Sequence, residues 1–358
     1  MIYGYDAGAM RSRPSGLGAF FQQQLSIEEW EEALPARVAG LNRHILGLVT
    51  ENGPVQAAVP GSWYTGGPED VPTVGDWLLL DRRTSQPVRL LERKSFLHRR
   101  AAGREAKIQA LAANIDTLFI VTSCNDDFNP SRIERYLTLA MGSGVTPVLV
   151  ITKADLVADA DEFIGRAKAI RQDLDVCVLN ALDAGSAAVL ENWCGKGQTL
   201  ALAGSSGVGK STLVNTLQGE HIQSTGAIRE HDARGRHTTT GRSLHMLPSG
   251  AVLIDTPGIR ELQLADVGQG LASAFDDIEQ LAAGCRFNDC THDHESGCAV
   301  QAAVLSGELE LRRLENYRKI RAEQQHNALS VAEKRDKARK FGKMCRNAVA
   351  MQRKKRLR

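Results

Sequence analysis

Nothing in this chain of 358 residues approaches the roughly 18 consecutive apolar residues that a membrane-spanning helix needs. The longest apolar runs, such as TPVLVIT, are strand-sized, and no membrane partner is expected. The start, MIYGYDAGAMRSRPSG, lacks an apolar stretch followed by a small-residue cleavage site, so no secretory signal is expected and the cytoplasm is the expected location. Internal repeats and low-complexity blocks are missing too. Seven cysteines, three of them within the 14 residues from Cys285 to Cys298, do not make a disulfide framework. Net charge is nearly absent at +2, but it is unevenly spread: residues 332–358 carry 12 Lys and Arg against 2 Asp and Glu, a local +10, and leave the rest at −8. A basic tail on a mildly acidic body suits a polyanionic partner.

What is present reads as several domains. The length is about twice that of a usual single domain, and 42% hydrophobic with 24% charged residues excludes wholesale disorder. Residues 1–35 form an N-terminal extension with one short apolar stretch, LGAFFQQQLSIEEW. Residues 36–104 break into short β-like runs (ARVAGL, HILGLVTE, VQAAVPG, DWLLLD, PVRLLERK) between turn signals, which predicts a small barrel or sandwich. Trp63, Tyr64 and Trp77 sit there among Arg82, Arg83, Arg89, Arg93 and Lys94. That mixture serves either base stacking on single-stranded nucleic acid or core packing. Residues 105–280 alternate buried-strand runs with helical stretches, which predicts an α/β domain whose largely parallel sheet is covered on both faces. Residues 281–331 hold the cysteine cluster and a helix, ELRRLENYRKIRAEQQ, before the tail at 332–358.

The strongest motif is GSSGVGKST, comprising Gly204, Ser205, Ser206, Gly207, Val208, Gly209, Lys210, Ser211 and Thr212, between the apolar run TLALA and the helical LVNTLQGE. This is a phosphate-binding loop in its required strand–loop–helix setting. Its glycines let backbone N–H groups wrap phosphates, Lys210 reaches the β- and γ-phosphates, and the Ser211 hydroxyl is a Mg²⁺ ligand. Upstream, ITKAD supplies Thr152, Lys153, Ala154 and Asp155, similar to the guanine-reading [NT]KxD motif. The Asp155 carboxylate accepts from both N1–H and N2–H of guanine, a donor pair adenine lacks, while the Lys153 stem packs over the ring. Thr152 stands where Asn is usual, and a hydroxyl replaces only part of an amide's bonding, so reduced GTP affinity is expected. Asn180 and Ala181 fit the place where a backbone N–H meets guanine O6. DTPG places Asp255 to hold Mg²⁺ through water and the Gly258 N–H at the γ-phosphate; between it and the phosphate loop lies RGRHTTTGR, with Thr239 the first choice to complete the Mg²⁺ shell.

The order of these motifs departs from an ordinary GTPase: the guanine motifs come first, and the phosphate loop, threonines and DTPG follow. A compact fold can be cut elsewhere without losing its sheet, so the domain is circularly permuted. Downstream, Cys285, Cys290, His292 and Cys298 offer a Cys₃His set suited to structural Zn²⁺, with His294 competing for the fourth place.

These features together resemble the ribosome small-subunit-dependent GTPase A family: RKSFLHRRAAGR, the permuted order, GRHTTT, DTPGI and Cys-x4-Cys-x-His-x5-Cys, spanning roughly Ala36 to Ile320. The resemblance implies an OB-fold, a permuted GTPase domain and a mostly helical zinc domain whose spacing favours His292. It implies GTP hydrolysis to GDP and phosphate during late maturation of the small ribosomal subunit, stimulated by ribosomal RNA, in a protein expected to be monomeric. Ile259 occupies the place of the glutamine that orients water in many GTPases, so His237 is the expected catalytic residue beside Lys210. The alternative is a GTP- or GDP-regulated RNA-binding protein whose hydrolysis is incidental. A metabolic kinase is disfavoured by the guanine motif.

Overall fold

The computed structural model describes residues 17–64, 67, 70–100, 108–219, 243–255 and 268–325. Two short helices, α1 (Ala19–Gln22) and α2 (Ile27–Glu32), open the chain, and Ser26 with Glu29 forms a capping box on α2. Strand β1 (Ala33–Asn42) begins three residues before the expected boundary. With β2 (Ile45–Thr50), β3 (Gly53–Ala58), β4 (Trp77–Asp81) and β5 (Pro87–Leu90) it forms an antiparallel sheet of order β3-β2-β1-β4-β5. Strand β4 explains the unbroken run WLLL. Leu78 and Leu80 enter the core with Val38, Leu46 and Leu48, while Trp77 and Leu79 face the other way, against Phe21 of α1. Trp77 is 1% exposed, so it is a core residue rather than a stacking platform. Arg93 pairs with buried Asp76 (2.7 Å), Lys94 with Asp116 (2.7 Å) and Arg89 with Glu29 (2.8 Å), which commits much of the expected basic surface to ion pairs.

A hairpin of β6 (Phe96–Arg100) and β7 (Ile108–Ala113) leads into a six-stranded sheet of order β10-β9-β8-β11-β13-β12. Its strands are β8 (Thr117–Ser123), β9 (Thr146–Thr152), β10 (Asp175–Val178), β11 (Thr199–Ala203), β12 (Ser243–Met246) and β13 (Val252–Asp255). All pair in parallel except β12 with β13. Alternate residues of β8 serve opposite faces: Leu118 and Ile120 enter one core, Phe119 and Val121 the other. A strand buried on both faces must be apolar throughout, which is how TLFIVTS reads.

Helix α3 (Pro130–Gly142) is capped by the Asn129 side chain and has Pro130 in its first turn. It buries Ile133, Tyr136, Leu137 and Ala140, the residues at helical spacing, and also Glu134, which is 0% exposed. Among the described residues α3 is followed by α4 (Asp161–Ile170), α5 (Ala184–Ala187) and α6 (Lys210–Gln218). After them come α7 (Gly268–Ala274), α8 (Asp276–Ala282), α9 (Ala299–Ser306) and α10 (residues 311–325). Helix α10 locks onto α3 through Glu134, which accepts from Arg312 (3.1 Å), Arg313 (3.0 Å) and Asn316 (2.5 Å), while Arg135 pairs with Glu323 (2.5 Å). Among the described residues, no helix is long and apolar enough to cross a membrane.

A candidate nucleotide site and a metal-ion site

In the parallel part of the sheet the carboxyl ends of β8, β9, β10, β11 and β13 share one edge, where open α/β sheets bind ligands. The phosphate loop leaves β11 there. At Gly204 (φ 144°) an added Cβ would lie 2.1 Å from the Val121 carbonyl oxygen, so only glycine fits; Gly207 (φ 81°) and Gly209 (φ 92°) are also left-handed. Lys210 starts α6 and is 8% exposed; its Nζ donates to the Gly204 carbonyl (2.9 Å) and to that of Ser205. The loop thus holds its own lysine against two of its carbonyls. Ser206 and Gly207 are exposed at the loop tip, Val208 is buried beneath it, and Ser211 and Thr212 are half-buried on α6.

The guanine motif stands beside this loop. Thr152 ends β9 and is 0% exposed, with its hydroxyl 2.6 Å from the Val208 carbonyl and 3.0 Å from the Thr122 carbonyl. One hydroxyl has one hydrogen, so the two acceptors share it. Lys153 takes a left-handed conformation (φ 61°), which turns the chain so that Asp155 is exposed. The Ala154 N–H donates to Leu179 (3.3 Å), and Thr216 of α6 donates to the Ala181 carbonyl (2.6 Å), so the two guanine motifs and the phosphate-loop helix form one bonded unit. The Asn180 side chain serves the turn itself, accepting from the Leu182 N–H (2.9 Å).

Asp255 closes β13, two strands from β8, and its backbone pairs with Ser243. His237, Thr239 and Gly258 lie outside the described residues, as does the tail at 332–358.

Two further features at this edge were not foreseen. Arg132, in the first turn of α3, donates to the Ser205 hydroxyl of the phosphate loop; a lone arginine carries no motif, and only the fold brings it there. Leu156 and Leu182 are 71% and 77% exposed, each directly following one of the two motifs expected to read the base. Large apolar side chains left this exposed mark candidate contact surfaces, and their adjacency to the motifs was the available signal.

The cysteine cluster comes together between α8 and α9. Cys285, Cys290, His292 and Cys298 place their ligand atoms within 4.8 Å of one another and could hold a metal ion. His292 Nδ1 lies 3.6 Å from Cys285 Sγ and 3.5 Å from Cys298 Sγ, and the two sulfurs are 3.8 Å apart. Tetrahedral coordination at ordinary Zn–S and Zn–N lengths has S···S edges of about 3.8 Å and S···N edges of about 3.5 Å, so Cys285, His292 and Cys298 stand at spacings that suit such a metal, with Cys290 inside the same 4.8 Å. His294 is 92% exposed and faces Asp293, away from the set. Burial, helped by Arg321, lowers the His292 pKa and favours the neutral imidazole, the form that binds metal. Burial pushes the Cys290 thiol up to about 11, which a bound cation would reverse. Cys177 and Cys194, also raised to about 11 by burial, read as inert core thiols.

The comparisons with known proteins agree with this geometry. A profile described as RsgA GTPase matches residues 90–265. A protein of Vibrio vulnificus (strain CMCP6) named small ribosomal subunit biogenesis GTPase RsgA 2 is 51% identical over 332 residues, covering 93% of both chains. One of Mesorhizobium japonicum, named small ribosomal subunit biogenesis GTPase RsgA, is 50% identical over 87% of this chain and 89% of its own. Among solved structures, YjeQ from Thermotoga maritima superposes with a TM-score of 0.61 at 25% identity, covering 82% of this chain and 98% of that one. YloQ, described as a circularly permuted GTPase, gives 0.59 at 23% identity over 82% and 96%, a likeness of fold. With half its residues shared across nine-tenths of a relative's length, and the nucleotide motifs in permuted order along one sheet edge, the chain belongs to the RsgA GTPase family.

Proposed function

We propose that this chain hydrolyses GTP to GDP and phosphate on the small ribosomal subunit during its late maturation, engaging ribosomal RNA as a monomer in the cytoplasm. The observation that carries the reading is the bonded unit at the sheet edge, where Thr152, Ala154, Ala181 and Thr216 fasten a guanine motif to a phosphate loop. Asp155 reads the guanine edge, the Ala181 N–H meets O6, and Lys210 turns from the loop carbonyls to the β- and γ-phosphates when nucleotide arrives. Ser211, Thr239 and Asp255 hold Mg²⁺, and Gly258 senses the γ-phosphate. His237 orients the attacking water in place of the missing glutamine, once docking on RNA has ordered its segment.

Residues 36–104 act as an OB-type RNA-binding barrel, 105–280 as the GTPase domain, 281–331 as the zinc subdomain, and 332–358 as a basic arm. Support for the barrel comes from the five antiparallel strands and from exposed Tyr64, whose hydroxyl meets His44 Nδ1 (3.0 Å) of the β1–β2 turn. The three thiols and one imidazole bind a single structural Zn²⁺ with no open position. GTP hydrolysis measured with and without purified small subunits is the decisive test. Strong stimulation that is lost in His237→Ala, with GTP-state binding retained, is expected. Equal rates with and without subunits would leave an RNA-binding protein with incidental turnover.

A further inference from the structure

Arg37 of β1 is 3% exposed and sits where the first sheet meets the start of β11. Its Nη2 donates to the Thr199 hydroxyl (2.6 Å) and, at longer range, to the Asn114 carbonyl (3.5 Å), while Nε points to the Gly75 carbonyl (3.4 Å). Nη1 is buried and has no partner, and the same is true of the indole Nε1 of Trp77, whose ring lies 5.5 Å from the guanidinium carbon. Both residues line one cavity of about 460 Å³, bounded on its other sides by α1 and by residues 196–199. Two buried donors without an acceptor are costly, and both belong to side chains that line the cavity.

The charges around the cavity point to the kind of acceptor. Its walls include Arg37, Lys94 and Lys196 but only one carboxylate, Asp116. That carboxylate already accepts from Lys94 (2.7 Å) and from the Thr199 N–H (2.9 Å). Asp76, the other nearby acid, is held by both nitrogens of Arg93 at 2.7 and 2.8 Å. Arg37 is left without a dedicated counterion, and burial pulls its pKa down to about 10 despite the attraction of Asp116 and Asp76. Phe20, Phe21 and Trp77 also line the cavity and give it aromatic surface beside the Arg37 charge, and its volume is in the range of small-molecule sites.

We propose that this cavity binds a small organic anion, whose carboxylate or phosphate accepts from Arg37 and whose apolar body lies against Phe21 and Trp77. The ligand would bridge the first sheet to β11, whose last residue, four after Thr199, precedes the phosphate loop. The site is separate from the nucleotide site, and its failure would leave the GTPase reading untouched.

The test is calorimetric titration of the full-length, GDP-saturated protein with phenylacetate and, separately, phenyl phosphate; GDP keeps the phosphate loop occupied. One-to-one binding of at least one probe is expected, and the tighter probe identifies the head group. Arg37→Gln should weaken that binding tenfold or more. Because Arg37 is buried and its variant can fail to fold, Lys196→Glu at the exposed rim is the companion: it should weaken binding several-fold and leave GTP hydrolysis unchanged. No binding of either probe, or binding that Lys196→Glu leaves unaltered, would overturn the proposal.

Discussion

A single hydroxyl hydrogen shared between two buried carbonyls makes Thr152 the most informative residue at the nucleotide site. Thr152→Val removes the hydroxyl bond that ties the end of β9 to the Val208 carbonyl of the phosphate loop, at a cost of about 1–3 kcal/mol, so GDP affinity measured by fluorescent-nucleotide titration should fall about tenfold. Thr152→Asn supplies two N–H hydrogens to the same two acceptors and should tighten GDP binding; an unchanged affinity would mean that the loop is held by other bonds. The four-letter motif was legible in the sequence, but these bonds were not, because they join residues 30 and 56 positions apart. Glu295 behaves differently because its bonds are local. It accepts from the Thr291 hydroxyl and N–H and from the N–H groups of Asp293 and His294, which holds its pKa down at about 2. A depressed carboxylate stabilises the fold fully above its ordinary value of 4.5 and loses that contribution as pH falls through about 2. A carboxyl-carbon NMR titration should find that low midpoint, and Glu295→Gln should release metal to a chelator faster than wild type at pH 7.

At the scale of elements, α3 is the meeting point. Its first turn reaches the phosphate loop through Arg132, its middle holds α10 through Glu134, and its last turns are crossed by α7. That crossing is backbone on backbone. A Cβ at Gly270 would lie 2.1 Å from the Thr138 carbonyl oxygen and 2.5 Å from the Gly142 nitrogen. Gly270→Ala must therefore push the helices apart, and its urea midpoint should correspond to a loss of about 1–3 kcal/mol. Periodicity in the sequence found α3 and the residues it buries, because apolar side chains at helical spacing announce themselves. Glu134 did not, since a carboxylate between Ile133 and Arg135 reads as part of a solvated face until α10 arrives with two arginines. The strands were legible for the same reason as the helix, and the aromatic-and-basic stretch was ambiguous because exposure decides its meaning. Burial placed Trp77 in the core and left Tyr64 outside.

For the whole molecule, the Glu134 clasp joins the helix that follows the cysteine cluster to the helix that touches the phosphate loop, so the two cannot move independently while it holds. Removing one partner from a buried charge cluster costs about 3–5 kcal/mol, and Glu134→Ala should lower thermal stability accordingly. If that coupling carries nucleotide state outward, small subunits must bind the form loaded with a non-hydrolysable GTP analogue more tightly than the GDP form; equal affinities would refute it. Trimming residues 332–358 should flatten the salt dependence of that binding if the arm neutralises phosphates. The strand order also bears on how the chain is made. A ribosome delivers β8, β9 and β10 first, and β11, which lies between β8 and β13 in the finished sheet, comes out later. Until residues 199–203 emerge, β8, buried along its whole length in the native fold, is an open apolar edge of the kind that recruits other strands. During that interval the nascent half-sheet carries Asp155 and Asn180 but has no loop to grip a phosphate. Arrival of β11 covers β8 and moves the open edge to β11 itself until β13 emerges; the phosphate loop and α6 follow directly behind β11, and from then on bound nucleotide can draw the newborn chain toward its folded state by mass action.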